Sequence, residues 1–475
     1  MILHFYGVFK LKSFLLVILI GITTSVIAQQ KYWVHGVNHE FNKSMSIEPE
    51  FCSAWLKSCT YYLRSDQADS LKKQGFDLST VASFSVQGIK EAPRVSFALE
   101  QIEAELLIQK GVTGKGVTIG IIDGGFLRAD EDDRLSHVFD QNNVLWYKDY
   151  VTPNMEVYGG SIGLDDNHGT EVWQNIAGYD SEKDIRYGLA TDAKYLLART
   201  DHGGYEKRLE EDYLIAALEA MTEKGAQVIN ISLGYSTGYL EASENYKPED
   251  MDGKTTMVAR AIDYASYEKG VLVVVAAGNE GLDSKWQIVS SPGDAKGALT
   301  VGAVKFKIWD KMNYSSIGPE FLPYMKPNVS VYASSGTSYA TPVITGLAAC
   351  ILSMDSTLSN FEIIGILEKS SHLYPFGNNY LGYGVPRVSR ILQILEGKSA
   401  EIPVVKSVRV KKSFFKLKDK IMGKTLVLYH KKDERNVIAR FNHRPIKNKF
   451  KVKRYQNAVQ TTILIENRAI EIIWN

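Results

Sequence analysis

Cysteine is scarce in this chain, with three in 475 residues, at positions 52, 59 and 350. So few exclude a disulfide framework, and the absence of any CxxC or HExxH spacing excludes the familiar zinc patterns. Cys52 and Cys59 are close enough in sequence to pair in an oxidising compartment. Cys350 falls in an apolar helical stretch, residues 343–352, and reads as a small buried hydrophobe. Past the first 28 residues no run of 18 uninterrupted apolar residues occurs, so no membrane span is expected after signal cleavage. Internal repeats and low-complexity linkers are lacking too. Net charge is nearly absent at +1, but that balance conceals two opposite segments. Residues 401–475 hold 19 Lys and Arg against 6 Asp and Glu, or +13, leaving −12 on the remainder. Such a tail meets the acidic body of its own chain, another polyanion, or only solvent.

What is present describes a soluble globular protein of two to four domains, 45% apolar and 23% charged. At the N-terminus Lys10 and Lys12 precede a short apolar run, residues 14–22, and Ala28 stands before Gln29. That is the pattern of a secretory signal peptide, residues 1–28, and it implies a secreted or envelope protein. Residues 29–97 show one strand-like piece (31–34) and one helical piece (65–74). From 98 to 396 short apolar strands, 117–122, 228–231 and 271–275, alternate with helical stretches such as 212–224 and 256–269. Strands of this kind suit a parallel sheet buried on both faces, so an α/β fold with an open, mostly parallel sheet and helices on both sides is expected. Residues 397–475 read as a small all-β module.

Functional groups in such sheets gather at the carboxyl ends of the strands. Asp123, Ser232 and Asn279 follow three of them. Taken singly, the polar stretches are weak: an Asp after a strand is ordinarily a turn former, and a lone loop histidine such as His168 is ordinarily structural. Asn279, in Ala276-Ala-Gly-Asn279, is ordinarily an Asx turn. The stretch Gly336-Thr-Ser-Tyr-Ala-Thr-Pro342 differs. It sets Ser338 at the start of an apolar helix, where the hydroxyl is exposed and the helix field favours a developing oxyanion. Pro342 is tolerated within that first turn, whose amides lack intrahelical acceptors.

Over about residues 98–396 the chain resembles the subtilisin-like serine proteases (subtilases, peptidase S8). The nucleophile motif matches residues 336–342, the Asp motif 117–124, the His-Gly-Thr motif 168–170 and the Ala-Ala-Gly-Asn segment 276–279, all in the family's order. The resemblance implies a serine endopeptidase with Asp123, His168 and Ser338 as triad and Asn279 as oxyanion donor. It implies that Ser232, Leu233 and Gly234, opposite Ala276, Ala277 and Gly278, bind protein or peptide substrates. Sedolisins share the serine motif but not a histidine base, so His168 and Asn279 argue against them. The resemblance also implies a propeptide at residues 29–97, an intramolecular inhibitor cut near 85–100. No cofactor is implied; Asp165, Asp166 and Asp294 are candidate calcium ligands, but no contiguous acidic loop surrounds them. Nucleic acid is not an expected partner. Residues 401–475 resemble small β domains that follow such proteases in some Gram-negative bacteria, and envelope contact is their candidate role. The rival reading is an inactive, protease-like binding protein at the envelope, which would require a lost triad or oxyanion group.

Overall fold

The computed structural model describes residues 30–37, 47–49, 51–53, 57–80, 94–160, 166–201, 203, 206–397 and 405–475. The expected signal peptide, Asp165, and part of the segment expected to contain the maturation cut lie outside these residues. The chain divides into two compact units, residues 1–90 and 91–475.

In the first unit the strands are β1 (Gln30–His35), β2 (Phe51–Ser53), β3 (Ser58–Leu63) and β4 (Leu78–Thr80), with helix α1 (Ser65–Lys73) after β3. They form an antiparallel sheet in the order β2-β3-β1-β4. Val34, Tyr61 and Leu63 from the sheet pack with Ala68 and Leu71 of α1, while Tyr62, pointing the other way, is exposed. Cys52 and Cys59 face each other across β2 and β3 and are joined as a disulfide, as their spacing allows.

The second unit is built on seven strands: β5 (Thr118–Asp123), β6 (Val144–Asp149), β7 (Lys194–Arg199), β8 (Val228–Ile231), β9 (Leu272–Ala276), β10 (Leu299–Val304) and β11 (Val329–Tyr332). Every pairing is parallel, in the order β11-β10-β9-β8-β5-β7-β6. β8, β9 and β10 are buried along their whole length, which is why β9 is an unbroken apolar run and the others are broken by few polar residues, Asn230 in β8 and Thr300 in β10. Alternate side chains enter two cores. Ile119, Ile121, Leu197 and Val274 face helices α2 (His168–Ala177) and α5 (Thr341–Met354). Ile122, Leu196, Ile229 and Val273 face α3 (Arg208–Glu223) and α4 (Met257–Glu268). Among the described residues one helical stretch, Thr337–Met354, is long and apolar enough to cross a membrane, and it is the core helix of this sheet.

The chain lays down β5, moves to one side for β6 and β7, then crosses to the other side for β8 to β11. The carboxyl end of β5 is therefore the switch point, where neighbouring connections diverge and leave a crevice.

The β-rich C-terminal segment comprises β12 (Lys406–Val410), β13 (Phe414–Lys418), β14 (Leu426–Lys431), β15 (Val437–His443), β16 (Lys449–Lys453), β17 (Gln460–Ile465) and β18 (Arg468–Trp474). Five strands form a sheet, β12-β18-β17-β14-β15, and β13 with β16 forms a ribbon. Leu426, Leu428 and Ile463 face the segment's own core. Their alternates Val427, Tyr429 and Leu464 join the large core of the parallel sheet. Polar contacts reinforce that seat. Asp310, fully buried, accepts from Tyr429 Oη (2.6 Å) and Arg440 Nε (2.9 Å), with Lys305 Nζ 3.1 Å away. Part of the tail's positive charge is thus answered by carboxylates of its own chain.

Burial alone would raise the Asp310 carboxyl's pKa, but Arg440 and Tyr429 outweigh it and hold the group below the usual aspartate range. A carboxyl depressed on folding adds stability above the ordinary aspartate range and loses it as pH falls through the lower, folded value. Asp310→Ala should lower stability in neutral denaturant titrations by about 3–5 kcal/mol, because Arg440 stays partly buried without its partner. The gap between variant and parent should narrow below about pH 4.

Candidate active site

Asp123 ends β5 and is completely buried. Its Oδ1 accepts from the Gly124 N–H (2.8 Å) and lies 2.5 Å from Nδ1 of His168. His168 opens α2, with about a fifth of its side chain exposed. The two meet because α2 approaches the β5 end with a glycine: a Cβ on Gly169 would stand 2.4 Å from Gly125 O and 3.0 Å from Asp123 Cβ. The other Asp123 oxygen, Oδ2, is buried with no partner.

A clamp beneath this pair was not legible in the sequence. Arg199, in register with Asp123 on the neighbouring strand, is buried. Its guanidinium donates to Gly124 O (3.0 Å), Asp166 Oδ1 (2.5 Å), Asp149 Oδ2 (3.4 Å) and Thr152 Oγ1 (3.1 Å). One side chain thereby fastens the residue after Asp123 to the residue two before His168. Asp166 is thus an ion-pair partner here, a different use from the calcium ligation considered for it. Asp294, also fully buried, accepts at Oδ2 from the Gly253 N–H (2.7 Å).

Ser338 lies in a single 3-10 turn, Thr337–Tyr339, that leads into α5. Its Oγ donates to Ser232 O (3.0 Å), and Ser232 Oγ donates back to Ser338 O (3.1 Å). Asn230 Nδ2 holds Ser232 Oγ (2.9 Å), and Thr345 of α5 holds Asn230 Oδ1 (2.8 Å). The serine turn is therefore locked to the end of β8. The next side chain, Tyr339, sets its ring 5.7 Å from the His168 ring and its hydroxyl 2.5 Å from Glu171 Oε2 on α2.

Asn279 is exposed beyond β9. Its Oδ1 accepts from Thr337 N (2.9 Å) and Thr337 Oγ1 (3.2 Å), which leaves its amide NH2 as the free end beside the serine turn. The turn before it demands glycine: Gly278 has φ +102°, and a Cβ there would stand 2.4 Å from Glu280 Oε2 and 2.5 Å from Ser290 Oγ.

Ser232, Leu233 and Gly234 leave β8 while Ala276, Ala277 and Gly278 leave β9, two adjacent strand ends. Ser290 lies between them, its Cβ 3.2 Å from where a Gly234 Cβ would be. Glu280 Oε2 accepts from Ser290 Oγ (3.2 Å) and Ser316 Oγ (2.8 Å). Sequence reasoning assigned no role to Ser290 or Glu280; the Asn-Glu-Gly run after Ala277 was the one available hint. Beside Tyr339 a groove of about 570 Å³ runs between Glu171, Tyr332 and Ser335, where only three residues separate β11 from Gly336. Of the two tyrosines near the motifs, Tyr235 is wholly buried, whereas Tyr339 contacts the histidine.

Comparison with known proteins shows what the chain is similar to. The sequence model of the Subtilase family matches residues 114–384. Subtilisin DY of Bacillus licheniformis is 29% identical over 317 residues, 64% of this chain and all of that protein. Subtilisin E of Bacillus subtilis strain 168 is 29% identical over 315 residues, 64% of this chain and 72% of that protein. Among solved structures, MycP1 from Mycobacterium smegmatis superposes with a TM-score of 0.47 at 23% identity, covering 66% of this chain and 88% of its own.

Arg199→Met removes the guanidinium from two buried carboxylates, Asp149 and Asp166. It should lower the stability of the folded chain by about 3–5 kcal/mol. A melting temperature equal to the parent's in scanning calorimetry would contradict the clamp.

Proposed function

Because the chain belongs to the subtilase family and is a serine endopeptidase of that family, we propose that it is exported and cleaves protein substrates through an acyl-enzyme formed on Ser338. The observation that carries the proposal is the meeting of Asp123 with His168 at 2.5 Å, in a site whose serine turn is fastened to Asn279. A serine hydroxyl is a weak nucleophile at neutral pH and needs a base as it attacks the scissile carbonyl. His168 Nε2 takes that proton and returns it to the leaving amine. Asp123 fixes the tautomer by accepting from Nδ1 and stabilises the imidazolium, staying ionised itself. The tetrahedral oxyanion is held by the Asn279 amide and the Ser338 backbone N–H, at a helix start whose field favours negative charge. Water then attacks the acyl-enzyme by the same proton path.

The substrate lies as an added strand along Ser232, Leu233 and Gly234, with its first side chain between these and Ala276, Ala277 and Gly278. The hydroxyl of Ser290 and the carboxylate of Glu280 line that space, which favours a long side chain ending in a hydrogen-bond donor. Residues 29–97 serve as the propeptide, inhibiting the cleft until cut. The signal at residues 1–28 and the basic segment at 401–475 support a secreted or envelope location. The residues proposed as triad and oxyanion donor are all present in the sequence, so no observation favours an inactive binding protein.

A fluorophosphonate probe should label the purified chain, and Ser338→Ala should abolish the labelling. Asn279→Ala should keep substrate binding while lowering kcat by roughly 10²–10³, the loss known for that donor in subtilisin. The active secreted enzyme should begin near residues 85–100, and Ser338→Ala should accumulate uncut from Gln29. An active enzyme that begins at Gln29 would refute the propeptide assignment.

A further inference from the structure

One end of the C-terminal segment carries a surface that the peptidase site does not use. Strands β14 and β15 are joined by a hairpin turn, residues 432–436, and that turn is fastened to the catalytic body. The Asn379 N–H donates to Arg435 O (3.0 Å), Asn379 Oδ1 accepts from the Val437 N–H (3.0 Å), and Lys432 pairs with Glu320. At the other end of the two strands, about 20 Å along, lie the loops 419–425 and 444–448. Four hydrogen bonds join these loops. The Gly423 N–H donates to Pro445 O (2.9 Å) and Arg444 Nε to Gly423 O (3.1 Å). Asn448 Oδ1 accepts from the N–H groups of Ile421 (3.0 Å) and Met422 (2.9 Å). Ile421 and Pro445 are buried, so the loop pair is anchored from beneath.

What this pair of loops presents to solvent is apolar. Ile446 is 84% exposed and Met422 62%, and Ile446 is the most exposed large apolar side chain among the described residues. A single exposed aliphatic is ordinary, but two on one cross-linked loop pair, flanked by cations, suit an interface with lipid. Lys420, Arg444, Lys447 and Lys449 are the exposed cations of the same loops and of the strand start beside them. The carboxylates of the segment are engaged elsewhere. Asp419 pairs with Arg468 (3.2 Å), Glu466 with Lys424 (2.6 Å) and Glu471 with Lys431 (3.0 Å). Asp433 and Glu434 stand in the hairpin turn at the opposite end of the strands. The four cations around Met422 and Ile446 are thus left to meet an outside negative charge.

We propose that this loop pair docks on an anionic lipid bilayer, with Met422 and Ile446 entering the acyl boundary and Lys420, Arg444, Lys447 and Lys449 on the headgroups. The inference rests on the envelope location proposed above and names the surface that is touched there. A soluble polyanion would use the cations alone and leave both aliphatic side chains in water. A bilayer uses both features, because its charged headgroups overlie a layer that accepts apolar side chains. The lysine ladder of β13 and β16 adds long-range attraction, since β16 begins at Lys449. Docked in this way, the chain holds its peptidase site at the membrane surface through the strands that also fill the core of the parallel sheet.

The test is co-sedimentation of the purified secreted chain with vesicles of phosphatidylglycerol and phosphatidylcholine, against vesicles of phosphatidylcholine alone. Binding to the anionic vesicles is expected, little to the neutral ones, and a decline as salt is raised. The double variant Met422→Ser, Ile446→Ser should bind anionic vesicles at least about tenfold more weakly, as should Lys420→Glu, Lys447→Glu. All four side chains are exposed, so circular dichroism and fluorophosphonate labelling should match the parent. No binding of the parent to anionic vesicles overturns the proposal. So does equal binding by the folded Met422→Ser, Ile446→Ser variant, which would mark the segment as a binder of soluble polyanions. Ser338→Ala should bind vesicles as the parent does, which separates the docking surface from the peptidase reading. Vesicle binding is measured on purified chain, so its failure is distinct from a failure of the envelope location, which cell fractionation reports.

Discussion

A buried carboxylate beside an imidazole is the contact on which the rest of this molecule depends. Asp123 has no exposed surface, so its charge must be answered from within. Gly124 and His168 share Oδ1, while Oδ2 goes without a partner. An incompletely satisfied carboxylate in a low-dielectric site gains most when a positive charge appears beside it. In the proposed mechanism that charge appears when His168 takes the serine proton, a step this arrangement would favour. Holding it requires that β5 and α2 keep a fixed approach, which Gly169 permits and Arg199 enforces through Gly124 and Asp166.

The other half of the site answers a different requirement. Oxyanion donors act best when they are already in place and need no reorganisation during reaction. Asn279 spends its carbonyl oxygen on Thr337 and so presents its amide from a fixed position beside Ser338. The serine turn is tied to the β8 end through Ser232 and Asn230 and backed by the largely apolar, buried helix α5. The groups proposed to catalyse and to bind substrate are thus anchored to adjoining strand ends of one sheet, and packing of that sheet fixes their spacing.

The C-terminal segment is seated by the same alternation that builds any strand: one face of β14 fills its own core and the other joins the core of the parallel sheet. Asp310, with Tyr429 and Arg440, adds a fixed point that a purely apolar seat would lack. The lysines of β13 and β16 remain in solvent, with Lys416 opposite Lys451 and Lys418 opposite Lys449. Like charges directly across a ladder repel, which leaves this ribbon as the strongly basic surface of the segment.

The sequence alone determined the parallel α/β architecture, because β-strands buried on both faces are mostly apolar, and β9 wholly and β8 in all but Asn230 carry that mark. It also singled out four candidate residues, since Asp123, His168, Asn279 and Ser338 each sit in a local motif whose glycines and helix start have physical reasons to be there. The spacing of Cys52 and Cys59 allowed a pairing that the register of their two strands decided. Only the tertiary structure decided which partners Arg199, Ser290, Glu280 and Tyr339 meet. These side chains carry no local signature: an arginine ending a strand or a glutamate opening a helix is ordinary until strand order sets it beside a partner dozens of residues away. Motifs record what the backbone must do nearby, whereas ion pairs and shared pockets arise from which strands are neighbours, and the crossover at β5 is what made these strands neighbours.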